Sequence, residues 1–142
     1  MDTISHGLWP YLIFYKNRRR LWALVIGMLP DIVAFVPHFF VEHFWGGQVI
    51  FDTLYRVTHS LVIFMVTFSL IAIAIRSVPW IASAWGLHIV IDIFTHPQAY
   101  YPTPYLFPFD SPFWFALDYR LPWFYAINYA LLLGMFLLIR NK

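Results

Sequence analysis

Cysteine is absent from this chain of 142 residues, which excludes disulfides and thiolate ligands and restricts any metal site to nitrogen and oxygen donors. The redox compartment is left open. Charge is nearly as scarce. Only 11% of the residues are Asp, Glu, Lys or Arg, against about 25% in an average soluble domain, so a water-facing surface cannot be built from this inventory. Glycine occurs six times, and none of these residues stands in a phosphate-binding loop or a Gly-x-Ser-x-Gly elbow; His-Glu-x-x-His is missing too. No Gly/Ser linker or internal repeat interrupts the chain, which predicts one membrane-embedded helical domain over residues 1–142.

What is present is apolar: 61% of the residues are hydrophobic and 22% aromatic. A membrane span needs about 20 apolar residues, and segments 21–41, 60–75 with its flanks, 80–95 and 122–139 qualify or nearly so. Stretch 5–15 is too short to span alone and predicts a half-span or interfacial helix with Ser5 as N-cap. The expected fold is therefore all-α, a polytopic membrane bundle of about four transmembrane helices plus a short N-terminal helix. Segment 97–121 carries Pro97, Pro102, Pro104, Pro108 and Pro112 among aromatics. Proline at that density prevents regular helix and predicts a loop, either an interfacial anchor or a lid over a site.

Basic residues mark the topology. Lys16, Arg18, Arg19 and Arg20 cluster, Arg76 stands alone, and Arg140 and Lys142 close the sequence. The positive-inside rule puts these in the cytoplasm and segments 42–58 and 97–121 outside, with Arg56 and Arg120 as exceptions. The charge is read as a topology signal, with no nucleic-acid partner implied. A cleavable signal peptide is not expected, because its positive region should precede the apolar stretch and here comes after it.

Within these apolar segments lie His6, Asp31, His59, His88, Asp92 and His96. Such groups are costly in hydrocarbon and mark a pathway, a relay or a bound ion; imidazole and carboxylate are also normal zinc ligands. His88, Asp92 and His96 are spaced four and four, which sets them on one helix stripe at about 100° per residue. Pro97 ends that helix and frees His96 to turn inward. A single buried His is more often satisfied by a helix–helix hydrogen bond. A His/Asp/His stripe with three further candidates on other helices favours a metal site opening toward the extracytoplasmic side. His38 and Glu42 follow Asp31 at offsets of seven and eleven; they could be extra ligands or a general base, although contact with water and headgroups is the simpler reading. His59 is expected at the outer rim, with Ser60 or Thr58 capping the helix after it. His43, among aromatics, reads as interfacial. Arg56 could hold a substrate phosphate or pair with Asp52.

Ser5-His6-Gly7, Gly27-Met-Leu-Pro-Asp31, Thr58-His59-Ser60-Leu61 and Trp85-Gly-Leu-His88-Ile-Val-Ile-Asp92-Ile-Phe-Thr-His96, followed by Tyr101-Pro-Thr-Pro-Tyr-Leu-Phe-Pro108, run in the order seen in a bacterial and archaeal family. The chain resembles the YdjM-type membrane-bound metal-dependent hydrolases. Where many members carry a second acidic residue after Pro-Asp, this chain reads Ile32-Val33. The ligand order is also similar, more weakly, to that of zinc-dependent phospholipase C and the P1-type nucleases, which implies a helical multi-metal phosphoesterase site. These likenesses imply a place in a bacterial or archaeal cytoplasmic membrane.

The functional expectation is a metal-dependent hydrolase, acting on a phosphoester of a lipid or lipid-linked phosphate through metal-activated water. His6, Asp31, His59, His88, Asp92 and His96 are its ligands, Asp92 and His59 its catalytic candidates and Arg56 its substrate contact. Six ligands exceed the three protein ligands of one catalytic zinc, which predicts two ions. A metal-ion or proton transporter is the first alternative, but it needs polar residues along the whole depth, and segment 125–139 offers only Asn128. A non-catalytic membrane scaffold is the second.

Overall fold

Asp2 starts the first helix. Its carboxylate accepts from the Ser5 backbone N–H at 2.9 Å and from the Ser5 hydroxyl at 2.7 Å, so α1 runs Thr3–Ile13 with Asp2 as its N-cap. Ser5 is not the cap that its residue type suggests, because a carboxylate three residues upstream reaches the free N–H groups first. The computed structural model describes residues 1–41, 47–112 and 116–140; Glu42, His43 and Lys142 lie outside them. The later helices are α2 (Arg20–Val41), α3 (Gly47–Thr58), α4 (Leu61–Ile75), a 3-10 turn (Trp80–Ala82), α5 (Ser83–Thr95) and α6 (Pro122–Arg140). The described residues form no strand, and those of segment 97–121 form no helix, as the prolines require.

α2 is the hub: α1, α3 and α5 all pack on it, while α4 leans on α5 and α6 on α1. The α1–α2 crossing is unusually close. A Cβ added to Gly27 would lie 2.3 Å from the His6 carbonyl oxygen, and one on Gly7 would lie 2.9 Å from that of Leu24. Glycine is needed here for approach rather than for backbone freedom. A polar tie holds α6 to α1: Asn128 donates to Ser5 Oγ at 2.7 Å and accepts from Trp9 Nε1 at 2.9 Å. Asn128, the polar residue noted in segment 125–139, thus has a packing role.

The number of spans differs from the sequence expectation. Among the described residues two helices, α2 and α6, are each long and apolar enough to cross a membrane, and the count reaches three if α3 and α4, bent 59° at their junction, form one broken span. Among the described residues the four expected spans are not found, because α4 has 15 residues and α5 has 13. At about 1.5 Å per residue neither covers the roughly 30 Å of a hydrocarbon core. Residues 76–79 are not helical and separate the two. On α2, Leu21, Val25, Leu29, Ile32 and Val36 recur along one side and are all exposed, an apolar stripe that the helices of this chain leave uncovered.

Arg76 ends α4 in the left-handed region, φ 51 and ψ 36, and its N–H reaches the carbonyls of Ala72 and Ile73. Glycine adopts this conformation without strain, whereas a side chain there costs about 1–2 kcal/mol. Arg76→Gly should therefore raise thermal stability by about 0.5–1 kcal/mol after the greater freedom of unfolded glycine is subtracted. A lower melting temperature for this variant would contradict the assignment. In segment 97–121, Arg120 grips Asp118 through Nε at 2.9 Å and Nη2 at 2.7 Å, and these bonds hold the Asp118 carboxyl down to about 2. The pair is open to solvent, so it adds little to stability.

Candidate metal centre

Three parts of the fold converge on one buried cluster of four residues. Asp31 comes from the turn of α2 that contains Pro30, His59 from the α3–α4 junction, and His88 and Asp92 from successive turns of α5. One ligand atom from each of the four lies within 4.8 Å of every other. Asp31 is 4% exposed and the other three are completely buried. His59 is therefore interior rather than on the outer rim, because the bend at His59–Ser60 turns its ring inward. Ser60 caps α4, as expected, by accepting from Ile63 N–H at 3.2 Å.

The hydrogen bonds assign the histidine tautomers. His88 Nδ1 donates to the Gly27 carbonyl at 2.7 Å, and His59 Nδ1 donates to the Tyr55 carbonyl at 3.1 Å. The Tyr55 hydroxyl gives its proton to the Tyr101 carbonyl at 2.8 Å, so its oxygen accepts from His96 Nδ1 at 3.3 Å. Each of these three rings, when neutral, turns a bare Nε2 inward. His59 Nε2 and His88 Nε2 then face each other 3.1 Å apart. Around them stand Asp92 Oδ2, at 3.6 and 3.2 Å, and Asp31 Oδ1, at 3.4 and 3.6 Å. Lone pairs and carboxylate oxygens this close repel one another unless a proton or a cation lies among them. Asp92 Oδ2 is buried without a hydrogen bond among the described residues. This donor set fits a divalent metal ion, and the Gly27 and Tyr55 carbonyls hold the His88 and His59 rings from behind, as carbonyls orient metal-bound histidines in general.

The other two expected ligands gather on the opposite carboxylate oxygen. His6 stacks on the His88 ring at 3.8 Å, and its Nε2 lies 2.8 Å from Asp92 Oδ1 without hydrogen-bond alignment. His96 caps the C-terminus of α5 just before Pro97, and its Nε2 lies 3.5 Å from the same oxygen. The Met1 α-amino group also sits there, 2.7 Å from Asp92 Oδ1 and 2.9 Å from His96 Nε2. All six residues singled out in the sequence thus meet around Asp92.

His38 and Arg56 stand elsewhere. His38 packs on the Phe51 ring with centroids 4.7 Å apart and does not belong to the four-residue group. Arg56 lines a surface pocket of about 330 Å³ with Asp52 and Thr103, and Asp52 accepts instead from Gln48 Nε2 at 2.9 Å. Thr103 also lines a smaller neighbouring pocket of about 110 Å³, whose wall includes His96. Residue types alone did not reveal Thr3, which donates to Asp31 Oδ2 at 2.7 Å, or Tyr55. Gly27 was visible as part of Gly-Met-Leu-Pro-Asp, but the role of its carbonyl was not.

No family model, curated protein or solved structure matches this chain.

Proposed function

We propose that the protein is a membrane-embedded metal-dependent hydrolase of the kind that the YdjM-type resemblance implies, with a phosphoester of a lipid or lipid-linked phosphate as substrate. The observation that carries this reading is the pair of inward Nε2 atoms 3.1 Å apart, ringed by two carboxylates. Asp31, His59, His88 and Asp92 would hold one ion; His6, His96 and the same Asp92 would supply donors to a second, in place of the Met1 amino group that lies against Asp92 and His96. Zinc suits these nitrogen and oxygen donors. When bound, such ions acidify a water and neutralise charge on a phosphoryl group. In this arrangement Asp92 and His59, the catalytic candidates, serve as ligands, and Thr3 fixes the Asp31 carboxylate through its second oxygen.

A lipid substrate is favoured by a pocket of about 320 Å³ beside the cluster, lined by Met1 and Thr95 at one end and by Trp9, Leu87, Ile91 and Phe124. Leu87 to Thr95 spans about 12 Å of helix, enough to shelter part of an acyl or prenyl chain. Arg56, at the outer pocket, is suited to a phosphate that approaches past His96. α2 and α6 would cross the membrane, with the basic loop after α1 cytoplasmic and the site toward the outer face.

Elemental analysis of protein purified without added metal tests the centre. At least one tightly held transition-metal ion per chain is expected, together with hydrolysis of bis-p-nitrophenyl phosphate or short-chain phosphatidic acid that chelation abolishes. A metal-free wild type would sink the proposal. Bound metal without any phosphoesterase turnover would instead favour the scaffold or transport reading.

A further inference from the structure

The cavity of about 880 Å³ lies between the α1–α2 loop and the α4–α5 connection, and nothing in the proposed hydrolase uses it. Lys16, Arg18 and Arg19 form its charged side, and all three are exposed. Among the described residues no carboxylate lines the cavity with them: segments 3–30 and 53–91, which supply its wall, contain no Asp or Glu. The loop is held in shape rather than trailing, since Asn17 Oδ1 accepts the Arg19 backbone N–H at 2.8 Å. The rest of the wall is largely apolar and includes Trp22 and Trp80, which are 62% and 66% exposed. Trp22 adjoins the exposed apolar stripe of α2, so the cationic mouth runs directly into a lipid-facing flank.

A free anion would need only the cations. A cleft that joins three cations, with no carboxylate in its wall, to indole rings and an apolar flank matches an amphiphile, because tryptophan favours the headgroup boundary and clustered Lys/Arg attract anionic lipid. We propose that this cleft binds the headgroup of an anionic phospholipid from the leaflet that surrounds it, with the phosphate on Arg18, Arg19 and Lys16 and the glycerol and first methylenes against Trp22 and Trp80. The lipid site rests on the proposed membrane placement and is independent of the metal centre.

The test uses the full chain in nanodiscs of mixed phosphatidylglycerol and phosphatidylcholine, after alkaline carbonate extraction has established that it is membrane-inserted. Failure of extraction resistance overturns the membrane placement; lipid retention in the nanodiscs tests the cleft alone. Native mass spectrometry should find phosphatidylglycerol retained over phosphatidylcholine by about tenfold or more. The triple variant Lys16→Gln/Arg18→Gln/Arg19→Gln should lose that preference, whereas Arg140→Gln, outside the cleft, should keep it. Where the triple variant does not fold, Arg18→Gln alone should lower the preference several-fold. Equal retention of the two lipids by the wild type overturns the proposal, as does an unchanged preference in the folded variants. Complete displacement of the lipid by inorganic phosphate at millimolar concentration overturns it too, because the ligand would then be a soluble anion.

Discussion

Asp92→Ala is expected to abolish metal binding altogether, where loss of any one histidine only weakens it. Asp92 turns Oδ2 toward His59 and His88 and Oδ1 toward His6 and His96, so one truncation removes an oxygen from both halves of the proposed centre. The residue is completely buried, and water cannot easily replace its carboxylate. Metal content should fall from one or two ions per chain to below about a tenth of that, since apparent affinities of structural zinc sites are of order 10 kcal/mol and, among the described residues, Asp92 is the one that faces His6, His59, His88 and His96 alike. Asp92→Asn keeps the shape and is the control for folding: it should retain helicity and still lose metal. Retention also has a predicted pH dependence. Imidazole must be neutral to ligate, so the wild type should keep its metal near neutrality and lose it in acid. Variants that bind as much metal as the wild type would show that Asp92 only satisfies its neighbours.

Gly27→Ala should be the most damaging single-carbon change outside the ligands. The new Cβ would meet the His6 carbonyl oxygen at 2.3 Å and Pro10 Cγ at 2.8 Å. The nearest obstacle is backbone, so α1 has to move by about 1 Å to reach ordinary contact, and such overpacking costs about 1–3 kcal/mol. Alanine's better helix propensity returns at most about 1 kcal/mol of this. The displacement carries His6 away from Asp92 and disturbs the Gly27 carbonyl that fixes the His88 tautomer. Thermal unfolding should therefore shift down by several degrees, with weaker metal retention. Gly134→Ala is the matched comparison, because nothing lies within 4 Å of its added Cβ; it should be neutral or slightly stabilising. A Gly27→Ala protein that melts and binds metal like the wild type would refute the close-packing argument.

The site was far more legible in the sequence than the span count. Residues four apart on a helix must share a face, so His88, Asp92 and His96 could be read together, and Pro97 predicted where the helix stops. The partners Asp31 and His59 were identifiable because carboxylate and imidazole are rare in apolar segments. Hydropathy, however, measures composition and not unbroken helix length. It cannot see that Arg76 turns left-handed after a 15-residue helix, or that a 59° bend sets His59 inside. The tautomer anchors were invisible for another reason: Gly27 and Tyr55 contribute main-chain carbonyls, and every residue has one.

The proposed ligands come from α1, α2, the α3–α4 junction and α5 rather than from one hairpin. On the proposed metal reading this sets an order of events during synthesis. His6 and Asp31 emerge first but remain without their partners until His59 and then the stripe ending at His96 have left the ribosome and found them. Ion capture then reports that four separate segments have docked, and a chain stalled before residue 96 has no complete site to load.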